Sequence, residues 1–411
     1  MNFKNATLAL MLGLLFTSLS LSAQVTTVFS EAQRAFKKGT EFYDGAVYGL
    51  AQNEFKKTIE LLLPVNEPEA KLLKQKAELL YAQSAVRLGM SEGENLIIEF
   101  ARKYQPDPIA NEALIEIANF YFNDKEYDKA LQLFNMIDSY GLPKEQRTEV
   151  IFQTGYAHFL KKNFSRAKSS FKSIKNIESE YYYPSNYYYG MCNFFSKNYK
   201  EAITSFQKAG KSNRYKPYVP YYITAIHFAE GDYDKVINYG ASKAKTARVK
   251  KQPEISRLVG QAFFERGEYA DARTYLEFAA KKSNRMDPTD YYQLGFVQYI
   301  DGEYDKSANN FKRLSAEENV MGQTSMYYLA DCYLKAGKKR DARTAFANAG
   351  RYNYDQSLQR EALWNAAKLA YELGLDREAV QALQGMDARD SNYPEAQALL
   401  SELFLLSLIH I

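Results

Sequence analysis

The stretch DGEYDKSANNF, residues 301–311, recurs in variant form along the chain. It places an aromatic ring at Tyr304, a small residue at Ser307 and a second ring at Phe311. Residues four apart on a helix lie on the same face, so Ser307 and Phe311 would meet one neighbour. Variants include NDKEYDKALQLF (123–134), SKNYKEAITSF (196–206) and RGEYADARTYL (266–276). The stretch therefore predicts a packed helix that occurs many times.

The small residue of each copy, which we call the anchor, recurs at a nearly constant period. The anchors are Ala51, Glu94, Ala130, Ala167, Ala202, Val236, Ala272, Ser307, Ala342 and Ala379. Successive anchors lie 34 to 43 residues apart. A period of this length is typical of stacked arrays. We expect one array, although 411 residues could also form two or three globular domains.

Two further positions repeat relative to the anchor. Twelve residues before it, nine of ten residues are Gly or Ala, which indicates a close approach of two helices. They are Gly39, Ala82, Ala118, Gly155, Gly190, Gly260, Gly295, Ala330 and Ala367, with Thr224 as the exception. Five residues before it, Gly231, Gly267, Gly302, Gly337 and Gly374 predict a turn between two helices. Each repeat is therefore predicted to be a helix pair.

This pattern resembles the tetratricopeptide repeat, W-x2-L-G-x2-Y followed by A-x3-F and P, over about residues 30 to 395. The tryptophan position departs from that pattern, holding for example Leu114 or Tyr291, and Pro106 is the one clear closing proline. The resemblance implies an all-α fold, a right-handed superhelical solenoid of about ten antiparallel helix hairpins over residues 24–403. First helices would line a concave groove, and second helices would form the convex back.

The two ends of the sequence have their own signals. Residues 1–23 are expected to be a cleaved signal peptide, with Lys4 before an apolar segment and Ala23 at the cleavage site. A retained membrane anchor is the alternative. The ending AQ resembles signals of the Bacteroidota. Residues 404–411 end in LSLIHI, which a sequencing-library adapter would encode, so we expect a non-native tail on a C-terminally truncated fragment. A natural apolar helix end is the other interpretation.

Aromatic residues recur on the first helices at 15, 11 and 8 residues before the anchor, which the resemblance places on the groove. The predicted partner-binding residues are Phe152, Tyr156, Phe159, Tyr187, Phe194, Tyr221, Phe228, Arg257, Tyr292, Tyr299, Tyr327 and Trp364. Two interpretations remain open and can coexist: packing between repeats, or a groove for an extended peptide or helix. A clamp for C-terminal carboxylates is not expected, because Arg257 and Gln261 are nearly alone among aromatic positions.

Residues that could carry chemistry are few. His158 and His227 occupy core positions of the repeat, and Cys192 and Cys332 lie four repeats apart, too far for a disulfide. Neither metal-ligand spacing nor a phosphate-binding loop is present. We therefore expect no enzyme, no cofactor and no metal. A net charge of +4 is too balanced to indicate nucleic-acid binding.

The run SKAKTARVKKQ, residues 242–252, contains five basic residues and no acid. We interpret it as a solvated connection between helices, with contact to anionic lipid, acidic glycan or an acidic protein as the alternative.

These observations predict a non-catalytic scaffold that is exported to the periplasm or the outer membrane. It would bind a protein or peptide partner along an aromatic groove, with at most peripheral membrane contact. The alternative is an accessory arm of a larger envelope machine for secretion or cell-wall assembly. The active or anchoring module of that machine would then lie C-terminal to this sequence.

Overall fold

A computed structural model describes residues 26–283 and 286–409. Within these ranges the chain is helical throughout and contains no strand, which confirms the all-α prediction. The predicted signal peptide, residues 1–23, lies outside the described residues. So do the last two residues of the predicted tail 404–411, whose described part belongs to the final helix.

The chain divides into two units, one up to Ser205 and one from Phe206. The first contains α1 (26–44), α2 (Tyr48–Leu61), α3 (Pro68–Arg87), α4 (Gly93–Tyr104), α5 (Pro108–Asn123), α6 (Tyr127–Phe134), α7 (Lys144–Leu160), α8 (Phe164–Ile174) and α9 (Tyr182–Phe195), and α10 (Tyr199–Ala209) spans the division. A single 3-10 turn (Ser139–Gly141) precedes α7.

The second unit continues the same alternation of helices. It contains α11 (Val219–Ala229), α12 (Tyr233–Ala244), α13 (Gln252–Glu265), α14 (Tyr269–Lys282), α15 (Pro288–Ile300), α16 (Tyr304–Lys312), α17 (Val320–Lys335), α18 (Lys339–Ala349), α19 (Gln356–Glu372), α20 (Asp376–Gln384) and α21 (Tyr393–Ile409). Odd-numbered helices are the first helices of ten hairpins, and α21 follows the tenth. Within each unit, helices contact their neighbours in sequence and the helix after next, as in an α-solenoid.

The turn inside every hairpin has one conformation. Five residues before each of the ten anchors, the backbone adopts a positive φ. Glycine occupies six of these positions with φ between 68° and 76°. Ala46, Lys125, Lys162 and Lys197 occupy the others with φ between 57° and 65°. This left-handed residue ends the first helix of each pair. The predicted glycine turns are thus confirmed, and non-glycine residues adopt the same conformation.

The predicted close approach of paired helices is also confirmed. A Cβ added to Gly155 would lie 2.9 Å from Cε1 of Phe171, the ring four residues after the anchor of the same hairpin. The same construction at Gly295 gives 3.1 Å to Phe311. A Cβ at Gly155 would therefore displace the ring of Phe171, and one at Gly295 would make an unusually tight contact with Phe311. The small residue on the first helix therefore accommodates the large residue on the second.

One anchor was predicted wrongly. In the second hairpin, α4 begins four residues after the left-handed Gly89, whereas second helices elsewhere begin two residues after the corresponding position. The two extra residues shift the register, so Glu94 is only half-buried and Ile97 is fully buried. A Cβ on Gly93 would lie 2.8 Å from the backbone nitrogen of Val86, which makes Gly93 the point of close approach.

Candidate partner-binding face

Aromatic side chains of the first helices form one layer in each unit, which we call the aromatic face. In the first unit it lies on α7 and α9. The rings of Phe152 and Tyr156 stack with centroids 6.0 Å apart. Tyr188 stands edge-on to Tyr156 at 4.9 Å and to Phe159 at 5.1 Å, and Tyr181 contacts Phe152 at 4.9 Å. The rings on α7 are therefore covered on one side by rings at and near α9.

Tyr188 belongs to a set of residues that sequence reasoning missed. It lies 14 residues before its anchor and stacks on Phe171 of the preceding hairpin at 5.7 Å. Tyr222 stacks on Phe206 at 5.1 Å, and Tyr328 stacks on Phe311 at 5.5 Å, in the same relation. The interplanar angles are 25°, 14° and 17°. Three tyrosines at one repeat position were visible in the sequence, and they join neighbouring hairpins.

In the second unit the aromatic face lies on α11, α15 and α17. Tyr292 stacks on Phe296 at 6.3 Å, and Phe296 meets the edge of Tyr328 at 5.5 Å. The hydroxyl of Tyr299 donates to Asp331, and that of Tyr327 donates to Glu361. Each bond reaches the first helix of the next hairpin.

Burial and the nearby carboxylates raise the pKa of these two hydroxyls. For both Tyr299 and Tyr327, removal of the ring from water is the largest cause, and the hydrogen bond to the acid adds to it. The pKa of Tyr292 is raised to about 12, chiefly by burial and to a smaller extent by Tyr328 and Tyr269. The phenols therefore stay protonated around neutral pH and act as donors.

The twelve predicted partner-binding residues differ in burial. Ten are half-buried, as expected for rings that pack on one side and are accessible on the other. Tyr187 and Trp364 retain only 8% and 6% of their surface, so their prediction as open groove residues is wrong. Trp364 packs in a cluster with Leu400 and Leu403 of α21, and Tyr187 stands edge-on to Tyr188.

Arg257, predicted to face a ligand, is engaged within the protein. Its Nη1 lies 3.4 Å from Asp287 and 3.6 Å from Asp290 at the start of α15. Asp290 is buried and also accepts from Nε2 of Gln261 at 2.8 Å. A buried carboxylate requires such partners. Arg257 and Gln261 therefore join α13 to α15, which explains why they interrupt the aromatic row.

Sequence reasoning also missed three exposed apolar residues at the ends of first helices. Leu160, Phe195 and Ile300 lie seven residues before their anchors and keep 39%, 49% and 52% of their surface. Each directly follows a half-buried ring of the predicted set. Polar residues are usual at such exposed helix ends, and this departure was the available signal. These residues extend the apolar surface of the aromatic face.

Groups capable of catalysis are sparse in the described residues. No cluster of three or more His, Cys, Asp or Glu side chains there could hold a metal ion. Cys192 and Cys332 are buried and unpaired. His158 is buried as predicted, and burial together with Arg166 lowers its pKa. Among residues 26–283 and 286–409, every helix is too short or too polar to span a bilayer.

Comparison with known proteins gives a family match for a short part of the chain. Residues 324–353 match the tetratricopeptide repeat family. No curated protein is significantly similar to the chain. Similar solved structures include the C-terminal part of a TPR repeat-containing protein from Cytophaga hutchinsonii, at 15% identity over 66% of this chain and 99% of that one, with a TM-score of 0.39. Another is a tetratricopeptide repeat protein from Parabacteroides merdae, at 17% identity over 74% and 99%, with a TM-score of 0.33.

The family match covers α17 from its fifth residue, the whole of α18 and the anchor Ala342. A helix pair with a left-handed turn recurs in the other hairpins of the described residues. The match is thus to one repeat of a family whose members typically bind other proteins.

Proposed function

We propose that this chain is a non-catalytic scaffold of the bacterial cell envelope, exported to the periplasm or the outer membrane. It binds a protein or peptide partner along its aromatic faces. The observation that carries the proposal is the continuity of half-buried rings with exposed apolar residues on the same helices. Phe194 and Phe195 close α9, and Tyr299 and Ile300 close α15.

The chemistry of this surface defines the partner. The rings of Tyr299 and Tyr327 have their hydroxyls engaged by Asp331 and Glu361, so their accessible surface is mainly apolar. An extended segment or a helix with apolar side chains at regular spacing suits such a surface. Buried aromatic anchors contribute most of the affinity at interfaces of this kind.

Site-specific photocrosslinking in the native cells tests the proposal. A photoreactive amino acid replaces Phe195 in the first unit or Ile300 in the second. The matched control replaces Phe278, which is 37% exposed and lies on the second helix α14. We expect positions 195 and 300 to capture one and the same envelope protein, and position 278 not to capture it. Equal capture from all three positions would contradict a binding face on first helices.

Substitution supplies the second test. Phe195→Ser and Ile300→Ser remove exposed apolar surface and leave the fully buried core untouched, so helical circular dichroism should persist. Removing one apolar side chain from an interface is expected to weaken the complex by about 1 to 2 kcal/mol, five- to thirtyfold. Phe278→Ser should leave binding unchanged. Unfolding of the Phe195 or Ile300 variants would show that these residues serve packing alone.

Export has its own assay. The mature protein should begin at Gln24 and be found in the envelope fraction. If the protein instead stays in the cytoplasm with residues 1–23 attached, the proposed export is wrong. The aromatic face could still be tested for partner binding in vitro.

A further inference from the structure

A second surface of the second unit lies where hairpins are joined to one another. Residues 210–218 connect α10 to α11, and residues 245–251 connect α12 to α13. The backbone N–H of Lys250 donates to the carbonyl of Pro217 at 2.8 Å. This hydrogen bond holds the two connections side by side. We call the surface formed by these two segments the basic edge.

The basic edge concentrates positive charge without any compensating acid. Its basic residues are Lys211, Arg214, Lys216, Lys245, Arg248, Lys250 and Lys251, all exposed, and neither segment contains Asp or Glu. The acid that follows in the sequence, Glu254, lies in the first turn of α13. The chain as a whole carries +4, so these seven charges leave −3 for the remainder. The positive charge of the chain is thus concentrated at the basic edge.

Several basic residues elsewhere in the second unit form ion pairs, which those of the basic edge lack in the described part of the chain. Further along the second unit, basic side chains bind acids of neighbouring hairpins, as in Arg273–Asp301, Lys339–Glu372 and Arg343–Glu378. In the described residues, none of the seven basic side chains forms such a pair. Like charges on adjacent segments repel one another, which an anionic surface would relieve.

Residue type and shape indicate which anion fits. Five of the seven residues are lysines, whose flexible, hydrated ammonium groups suit a diffuse anionic surface, whereas bidentate recognition of single carboxylates or phosphates favours arginine. Tyr218, 44% exposed, is the last residue of the first basic segment and directly precedes α11. Tyrosine is enriched at the level of lipid headgroups, where an apolar ring with a polar tip is stable.

We propose that the basic edge docks peripherally on a bilayer of anionic phospholipids. Lys211, Lys216 and Lys250 contact the headgroups directly. Lys251 and Lys245 are less mobile, since their Nζ atoms lie 4.2 Å and 5.1 Å from the ring centroids of Tyr221 and Tyr275. The basic edge meets the aromatic face where Lys251 contacts Tyr221 on α11. The rings on α15 and α17 lie outside both basic segments, so a scaffold bound to the membrane would keep those rings available.

Vesicle flotation of the full chain tests the proposal. The probes are vesicles of phosphatidylcholine alone and vesicles that also contain phosphatidylglycerol. The variant carries Lys211→Ala, Lys216→Ala and Lys250→Ala. Its control carries Lys37→Ala, Lys71→Ala and Lys76→Ala, which removes the same charge from the first unit. A further variant, Tyr218→Ala, is compared with Tyr140→Ala, the most exposed aromatic residue of the first unit.

We expect the unmodified protein to float only with phosphatidylglycerol vesicles and to be released by salt. The Lys211/Lys216/Lys250 variant should bind roughly 100-fold more weakly, since each basic residue near an anionic surface contributes about a fivefold change. The control should bind within about twofold of the unmodified protein. Absence of binding to phosphatidylglycerol vesicles, or equal weakening in both triple variants, would overturn the proposal.

A third arm separates membrane binding from binding of an acidic protein. One outcome is that the unmodified protein binds polyglutamate but not phosphatidylglycerol vesicles, while the variant that lacks Lys211, Lys216 and Lys250 binds neither. In that case the basic edge binds an acidic protein, and the membrane proposal is wrong. None of these outcomes depends on the aromatic face. Failure here therefore leaves the proposed partner binding intact, and failure of partner capture leaves the vesicle result intact.

Discussion

Replacing lysine by glycine at the hairpin turns should stabilise the protein. Lys162 adopts φ 59° between α7 and α8, as Gly302 adopts φ 75° between α15 and α16. A side chain in this conformation costs about 1 to 2 kcal/mol. Glycine avoids that cost but gains backbone freedom in the unfolded chain, which offsets about 0.4 to 1 kcal/mol. We expect Lys162→Gly to raise the free energy of unfolding by about 0.5 to 1 kcal/mol.

The structure supplies the reciprocal change and a control for it. A Cβ added to Gly302 meets no atom within 4 Å, so Gly302→Ala tests backbone strain alone and should destabilise by about 0.5 to 1 kcal/mol. Gly49, near the start of α2, also has open space but lies in a helix. Gly49→Ala should therefore stabilise by about 0.5 to 1 kcal/mol. Opposite signs at two equally open glycines would isolate the effect of φ.

Because each hairpin contacts only its neighbours, stability should be measured at individual hairpins as well as for the whole protein. Hydrogen exchange followed by mass spectrometry would report opening of peptides from α7 and α8, and chemical denaturation would report the whole transition. Lys162→Gln removes the same charge while keeping a side chain, and it should show no gain. If Lys162→Gly exchanges no more slowly than Lys162→Gln, and Gly302→Ala costs nothing, the assignment of strain to these turns is refuted.

Three further outcomes follow from burial. Phe311→Ala should cost about 3 to 5 kcal/mol in chemical denaturation, because Phe311 is fully buried and stacks on Tyr328; a loss below about 1 kcal/mol would contradict this packing. Burial raises the pKa of Tyr239 to about 12 from 10. The unfolded tyrosine ionises first, so thermal stability should hold below pH 10 and fall between about pH 10 and 12, a decline that Tyr239→Phe reduces. Burial likewise raises the pKa of Cys192 to about 12 and that of Cys332 to about 11. Both thiols should react with an aromatic disulfide reagent only on unfolding, and rapid reaction of the native protein would show that they are accessible.

The fold was largely predictable because its packing depends on differences in residue size at fixed spacing. Gly155 and Phe171 are 16 residues apart, and the same separation recurs at Gly295 and Phe311. A glycine and a large ring that recur at this fixed separation are conspicuous in a sequence, and the structure places the two in contact. The turn was predictable only where glycine fills it. Lys162 adopts the same conformation, but lysine gives no signal for a positive φ.

The candidate face was less predictable, since burial depends on what packs above a helix. Trp364 occupies the same repeat position as the half-buried Tyr327, yet α21 covers it. The periodicity of the sequence does not show that α21 packs on this residue. The prediction of Glu94 as an anchor was wrong for a different reason. Gly89 lies at the expected five residues before Glu94, but two extra residues in the turn shift the register of α4. Arg257 looked available because its carboxylate partners, Asp287 and Asp290, belong to the next hairpin.

Hydrogen bonds between hairpins also change what the aromatic face can bind. Tyr299 and Tyr327 donate to acids on α17 and α19, so their rings are held in place before any partner arrives. Fixed side chains lose little conformational freedom on binding, which favours affinity. Since these hydroxyls are already engaged, we expect the proposed partner to contact ring surfaces and Ile300, and its binding to depend weakly on salt.

The basic edge should respond to salt in the opposite way, because exposed charges are screened within about 10 Å at 0.1 M ionic strength. Raising the salt concentration should release phosphatidylglycerol vesicles from the protein while its protein partner stays bound. Release of both at the same salt concentration would mean that charge also governs partner binding at the aromatic face.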